Sequence, residues 1–502
     1  MSEADATQKA GEETPGRDWG GAVDKVAPPK GPAPAPVNYS SLYEKRKAVH
    51  NKRIDGPFRR FKWLVMLVTL AIYYVTPWIR WDRGPYAPDQ AVLVDLANRR
   101  FYMFDIEIWP HEFYFVAGLL IMAGIGLFLV TSAVGRAWCG YACPQTVWTD
   151  LFFLVERWIE GDRNARVRLH KAKWTAHKWR LRLTKWTTWL MISVATGGAW
   201  VFYFADAPTL LMNLLTFEAA SVAYASIAIL TATTFVFGGF MREQVCIYMC
   251  PWPRVQGAMM DNETLTVAYR DWRGEPRGKK RQEGTGDCID CMACVNVCPM
   301  GIDIRDGQQM ECITCALCID ACDDIMQKIG KDRGLIDYLA LSDEPRERTG
   351  QAPRPIWQHI LRPRTMLYTA LWSLIGVGLI WALFVRADID MNVSPIRNPQ
   401  FVTLSDGSIR NTYEVRLLNK HGDDRPFRIT LKGSEYLRIQ LEGTPYETIT
   451  IPANETFNQK VHVIAPPGSG PAGAERTDFR FWVEDISNGD RAYTDTIFHG
   501  RN

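Results

Sequence analysis

The chain has 502 residues, with 58 Lys and Arg against 55 Asp and Glu and a formal charge of +3. That length implies several units, and the near-neutral balance gives no reason to invoke nucleic acid. All 12 cysteines fall in three groups between Cys139 and Cys322, which excludes a disulfide framework, and 19 Trp suits a membrane interface.

Residues 1–40 are rich in Ala, Pro, Gly and charge and read as a disordered tail. The first apolar stretch begins only after residue 60, so no cleavable signal peptide is expected. Five stretches match the roughly 20 apolar residues that cross a bilayer. They are Phe61–Trp78, Phe113–Val134, Thr187–Ala205, Ala219–Met241 and Met366–Val385. Residues 41–241 thus form a four-span domain, 242–365 a loop, 366–386 a fifth span and 387–502 a terminal domain. No span carries an ionisable residue in its middle, so neither an ion path nor a haem between spans is expected.

Lys and Arg set the orientation. Residues 43–62 are strongly basic, eleven more Lys and Arg lie between Arg136 and Lys185, and the loop Asp206–Glu218 has none. Only the loop at 80–112, with four arginines, is discordant. The N-terminus and the cysteine-rich loop are therefore expected in the cytoplasm and the C-terminal domain in the periplasm. The run "RNARVRLHKAKWTAHKWRLRLTKW" alternates basic and aromatic residues. Nucleic-acid binding is one reading; between two spans, a helix lying on the anionic inner leaflet explains it better.

After residue 395, short β-type runs such as "NTYEVRLLN", "FRITLKG" and "DFRFWVED" alternate with turns such as "SDGS" and "KHGDD". About seven strands in 110 residues predict an immunoglobulin-like sandwich, serving as a docking module or as a stable lid.

Within the loop stand two C-x2-C-x2-C-x3-C runs, Cys288, Cys291, Cys294, Cys298 and Cys312, Cys315, Cys318, Cys322. Zinc asks for four ligands, usually as two pairs. Eight thiolates in a doubled run belong instead to the bacterial ferredoxin with two 4Fe–4S clusters, at about residues 280–330. On that pattern one cluster takes Cys288, Cys291, Cys294 and Cys322, and the other Cys312, Cys315, Cys318 and Cys298. Pro299 follows the first run, whereas Asp323 stands at the equivalent place in the second. Ile289, Met292, Val297, Ile313 and Leu317 are expected to keep water off, favouring potentials on the order of −400 mV.

Two further units, C-x-x-x-C-P, leave the even-numbered spans: Cys139, Cys143, Pro144 and Cys246, Cys250, Pro251. Each proline suits the first position of a new helix, which places Cys143 and Cys250 near helix N-termini, where the dipole favours the thiolate. Spans one–two and three–four read as tandem repeats that bring the four thiols together. Such thiolates suit Cu(I), zinc or iron–sulfur, and Met241, Met249, Met259 and Met260 are candidate thioether ligands or simply apolar packing. Inert buried thiols are the plainer alternative. The architecture is thus a multi-domain membrane protein: a five-span α-helical bundle, an inserted two-cluster ferredoxin domain and a C-terminal immunoglobulin-like β-sandwich.

Five spans, two C-x-x-x-C-P units, a doubled ferredoxin run and a terminal sandwich resemble the CcoG/FixG/RdxA family of cytochrome c oxidase accessory proteins, over about residues 40–502. The resemblance implies a bacterial inner-membrane reductase that converts Cu(II) to Cu(I) for maturation of a cbb-type haem–copper oxidase. Cys139, Cys143, Cys246 and Cys250 would then bind the copper. An unidentified cytoplasmic donor would charge the clusters, and a copper-exporting ATPase or chaperone would receive Cu(I). Two other readings fit the same residues. One is a quinone-linked polyferredoxin, with Glu107, His111 and Glu112 of "FDIEIWPHEFYF" at a quinol site. The other is a non-enzymatic oxidase assembly scaffold.

Overall fold

The computed structural model describes residues 48–84, 87–279, 284–386, 389–420, 422–453 and 455–501; the expected tail at 1–40 lies outside them. Four helices are long and apolar enough to cross a membrane: Pro57–Trp78, Pro110–Val134, Ser221–Met241 and Pro363–Val385. The remaining expected span, Thr187–Ala205, overlaps the second half of the helix Ala176–Val201, which does not reach that measure. Lys178, Arg180, Arg182 and Lys185 occupy its first half, and Ser193, Thr196, Gly197 and Gly198 dilute the second. Its start is fastened by Arg182 to Glu160 at 3.0 Å and by Lys185 to Glu156 at 3.1 Å. Past its other end, Gln90 Nε2 donates to Phe202 O at 2.7 Å and Val94 N to Tyr203 O at 2.8 Å. Those last contacts come from the loop after the first span. That loop folds as a small antiparallel sheet of β1 (Val92–Asp95), β2 (Arg100–Met103) and β3 (Ile106–Ile108).

Part of the basic–aromatic run turns inward, while Arg168, Lys171, Lys173, Trp174, Trp179 and Arg180 stay exposed as a headgroup helix would have them. The run forms the helix Arg163–Lys171 and the start of Ala176–Val201, and Arg166, Lys178 and Lys185 are buried. Arg166, Lys185 and Arg242 converge on Glu156 at 2.9, 3.1 and 2.5 Å. A carboxylate on the amphipathic helix Pro144–Glu160 is what draws these cations inward, because a buried charge needs partners.

The ferredoxin segment is closed by β4 (Thr266–Tyr269) pairing antiparallel with β5 (Ile336–Leu339). Each cysteine run leads into a helix, Ala293–Val297 and Leu317–Ile329. Val267, Ile304, Ile319, Met326, Leu335 and Ile336 form the core beneath them. The segment is locked to the membrane part through Asp320, whose carboxylate accepts from Phe58 N at 3.3 Å and Arg59 N at 2.8 Å. It thereby caps the first membrane helix from a distant part of the chain. Gly56 leaves room for it: a Cβ there would lie 2.3 Å from the Asp320 carboxyl carbon.

The C-terminal part is a two-sheet sandwich. One sheet has the order β10 (Arg438–Leu441), β12 (Thr456–Ala465), β8 (Ile409–Asn419), β6 (Ile389–Pro395), with β7 (Val402–Thr403) also on β8. The other runs β11 (Thr448–Ile451), β9 (Arg425–Lys432), β13 (Thr477–Asp485), β14 (Arg491–Phe498). Alternate residues such as Tyr413, Val415, Leu417, Phe479, Phe481 and Val483 fill the space between them. The short or edge strands β6, β7 and β10 are the ones that the sequence pattern missed.

Candidate redox site

The two cysteine runs have the same backbone. In the first, Asp290 and Met292 flank Cys291 with φ of 52° and 57°; in the second, Thr314 and Ala316 flank Cys315 with φ of 54° and 58°. None of the four is glycine, so each left-handed residue costs on the order of 1 kcal/mol. Loops of this kind turn successive N–H groups inward and make a concave anion site, as iron–sulfur sites do. Cys322 lies in the fields of Cys294, Cys291 and Cys288, and Cys298 in those of Cys315 and Cys312. The fourth cysteine of each run therefore stands with the other run, the exchange that the ferredoxin pattern requires. Burial pushes the Cys294 and Cys312 thiols up to about 11, and those of Cys298 and Cys322 up to about 12. Cations inside the loop would offset that, so iron binding and thiol deprotonation are coupled. On these observations the residues fit two 4Fe–4S clusters.

Cys291 is exposed and Met292 is 40% exposed, whereas Cys315, Ile313 and Leu317 are buried. One cluster position thus borders solvent and the other lies inside. A buried arginine braces each loop. Arg305 reaches Asp290 Oδ1 at 2.7 Å and Met292 Sδ at 2.8 Å. Arg136 reaches Cys312 O at 3.4 Å and Met310 Sδ at 2.6 Å. Asp323, where a second proline was missing, accepts from Gly334 N at 2.9 Å.

The C-x-x-x-C-P units meet. Cys139 lies in the fields of Cys143 and Cys250, and Cys246 in those of Cys143, Cys139 and Cys250. All four are half-buried free thiols. Cys143 is the N-cap residue of the helix Pro144–Glu160, with Pro144 at its first position. Cys250 directly precedes Pro251, the N-cap of the helix Trp252–Met259. Gln145 stitches the units together, its Nε2 donating to Phe237 O at 2.9 Å and Arg242 O at 3.2 Å. Burial, then the neighbouring cysteines, pushes Cys139 and Cys246 up to about 12. The Cys139 thiol donates to Gln256 Oε1 at 3.1 Å. Of the expected thioethers, Met259 is buried, Met260 packs near Gly135 and Met249 is 51% exposed. Among the described residues no three His, Cys, Asp or Glu converge on one metal-ion position. For the cluster ligands that is natural, since each thiolate holds a different corner of a cube; the four C-x-x-x-C-P thiols likewise stand as neighbours and not as a closed coordination sphere.

The four-thiol site abuts the inner cluster loop. Cys139 and Cys246 pack on the apolar group that contains Ile313, Cys315 and Leu317. Tyr141 OH donates to Cys315 O at 3.1 Å. Gly140 lies so close that a Cβ would sit 2.5 Å from Ile313 O and 3.0 Å from Cys315 Cα. Arg136 Nη2 also donates to Pro253 O at 2.6 Å, so one side chain joins both C-x-x-x-C-P units to the cluster loop.

Comparison with known proteins agrees with this division. A 4Fe-4S dicluster domain model matches residues 241–341, and a 4Fe-4S binding domain model residues 115–163. Together these stretches contain all twelve cysteines. The IG-like fold at the C-terminal of FixG matches residues 379–501. Protein RdxB of Cereibacter sphaeroides is 67% identical over 467 residues, covering 92% of this chain and 98% of that protein. Protein RdxA of the same organism is 62% identical, covering 91% and 98%. Nitrogen fixation protein FixG of Rhizobium meliloti is 54% identical, covering 90% and 92%. The chain belongs to the FixG/RdxA/CcoG family. As a FixG/RdxA relative it is an iron–sulfur electron-transfer protein with apolar helices fit for a membrane.

Within this family member, the patch considered for a quinol is structural. Glu112 is 2% exposed, accepts from Trp109 N at 3.2 Å and pairs with Lys420 of the sandwich at 2.9 Å. Glu107 pairs with Arg100 at 3.2 Å, and His111 faces Asp390 at 3.7 Å. These groups join the loop before the second span to the sandwich. Reading the sequence missed Arg136, Gly140, Gln256 and Asp320, whose roles depend on partners scores of residues away. The only local hint was an arginine and a glycine on either side of Cys139.

Proposed function

We propose that this protein reduces Cu(II) to Cu(I) at Cys139, Cys143, Cys246 and Cys250, in support of a cbb-type haem–copper oxidase. The observation that carries the reading is the direct packing of Gly140 and Tyr141 on the loop Ile313–Cys315. When bound, the two clusters supply single electrons at low potential, and each Cu(II) that takes one becomes Cu(I). The chain's own part is to hold soft thiols beside that supply, half-open for copper to arrive and leave. Copper binding removes the thiol protons of Cys139 and Cys246, and Gln256 stands ready to orient the first of these. An electron donor would dock at the exposed Cys291–Met292 edge, and a copper-exporting ATPase or chaperone would take Cu(I).

The same reading gives five crossings. Cys139 and Cys246 follow different membrane helices yet stand together, so both helices end on one face. The chain must return between them, and the helix Ala176–Val201, tied to opposite faces at its two ends, is the segment available. Basic residues put the thiol face in the cytoplasm and the sandwich in the periplasm of a bacterial inner membrane.

The test is anaerobic. Protein with reduced clusters is mixed with Cu(II), and cluster reoxidation is followed together with Cu(I) trapped by a chelator. We expect Cu(I) in proportion to the electrons lost. A variant with serine at positions 139, 143, 246 and 250 should keep its iron and sulfide but lose Cu(I) formation. Reduced clusters that persist beside Cu(II) would end the proposal.

A further inference from the structure

A large cavity stands far from the cysteines in chain and fold. It is a cleft of about 1160 Å³ in the sandwich, between the ends of the edge strands β6 and β14. Arg397, Lys432 and Arg476 stand exposed along it, against Asp478. A further pair in the lining, Arg480 and Asp495, is self-compensated at 2.6 Å. Arg397 and Arg476 make no ion pair among the described residues. The rim is therefore cationic.

The floor carries a second, independent signal. Asn411 is 3% exposed and lines the cleft, and its Oδ1 has no hydrogen-bond partner among the described residues. The orientation of that amide is fixed by its neighbour. Tyr413 OH donates to Ile497 O at 2.7 Å, so its oxygen can only accept, and Asn411 Nδ2 faces it at 3.5 Å. The carbonyl end is left over. A buried acceptor without a donor is costly, and native structures rarely keep one without a reason.

We infer that this cleft binds an extended acidic segment of a partner polypeptide, with a donor N–H of the segment reaching Asn411 Oδ1 and its carboxylates on Arg397 and Arg476. A polypeptide supplies both needs at once, negative side chains for the rim and an N–H for the floor. A phosphate group would satisfy the rim alone. Edge strands on either side suit an extended chain. The inference stands apart from the copper reading and survives its failure.

The experiment uses the full chain in detergent and fluorescence anisotropy. The probes are an end-blocked, fluorescein-labelled peptide of alternating Glu and Thr and its Lys-for-Glu counterpart. The acidic peptide should bind and the basic one should not. Arg397→Glu with Arg476→Glu should weaken binding by about tenfold or more. Asn411→Leu, which leaves the charge unchanged, should weaken it about threefold or more. Absence of binding, equal binding of both peptides, or binding that survives both variants would overturn the inference. So would retention on phosphatidylglycerol vesicles that the charge-reversed protein loses, with no uptake of peptide, since the cleft would then be a lipid site.

Discussion

At Gly140 a single hydrogen atom separates two redox elements. Any side chain there would drive into Ile313 O or the Cys315 backbone, neither of which is a flexible tip that can swing away. Gly140→Val should therefore leave both cysteine runs able to hold iron yet push the four-thiol site off the inner loop. Copper reduction should fall by on the order of tenfold or more, with iron and sulfide content unchanged; stopped-flow cluster reoxidation measures it. Arg136 acts at the same scale from the other side. Its guanidinium faces Cys312 O, Met310 Sδ and Pro253 O, and a fixed positive charge beside a cluster favours the reduced state. The cysteines themselves were legible in the sequence because ligand spacing is local: three thiols on one tight loop need only a few residues. Gly140, Arg136 and Gln256 were not, because what makes them matter is a carbonyl or thiol more than a hundred residues away.

The elements show the same division. The strands β8, β9, β12 and β13 alternate buried and open residues, and that period of two was plain in the sequence. The helix Ala176–Val201 was harder, because its length is shared between a basic half that feeds Glu156 and Glu160 and an apolar half that packs in the bundle. Hydropathy sees only the second half. The helix Pro57–Val75 has no cap of its own; Gly56 precedes it and Asp320 supplies the acceptor. Asp320→Ala should cost about 1 kcal/mol of helix-end stability and loosen the ferredoxin segment from the first span. The measurement is limited proteolysis near residue 56, with Asp320→Asn, which keeps an acceptor, close to wild type. Equal cleavage of all three would remove Asp320 from this role.

Across the whole molecule, buried charge ties the thiol face together. Burial alone would raise the Glu156 carboxyl, yet Arg242, Lys185 and Arg166 outweigh it and hold it down to about 2. Its folded value lies below the unfolded one, so its contribution is complete above about pH 4.5 and is lost as pH falls towards 2. His50 adds to the trend: burial, then Arg166, lowers it to about 4, so the folded state resists its protonation between about pH 6.5 and 4. Thermal unfolding followed by tryptophan fluorescence should show stability declining from pH 6.5 downward. A Glu156→Gln variant should be less stable at neutral pH and show a flatter acid limb below pH 4.5.

Asp320 stands between Cys318 and Cys322, and this has a consequence for biogenesis. The residue that finishes the first membrane helix is synthesised some 260 residues after it, on the same helical turn as two cluster ligands. Until that turn is wound, Phe58 and Arg59 keep open N–H groups at the membrane surface. The turn that carries Cys318 and Cys322 therefore also closes the N-terminal end of the first membrane helix. Disorder in that turn would open the chain at residue 56 as well as in the loop, a mark by which quality control could sort immature protein from finished.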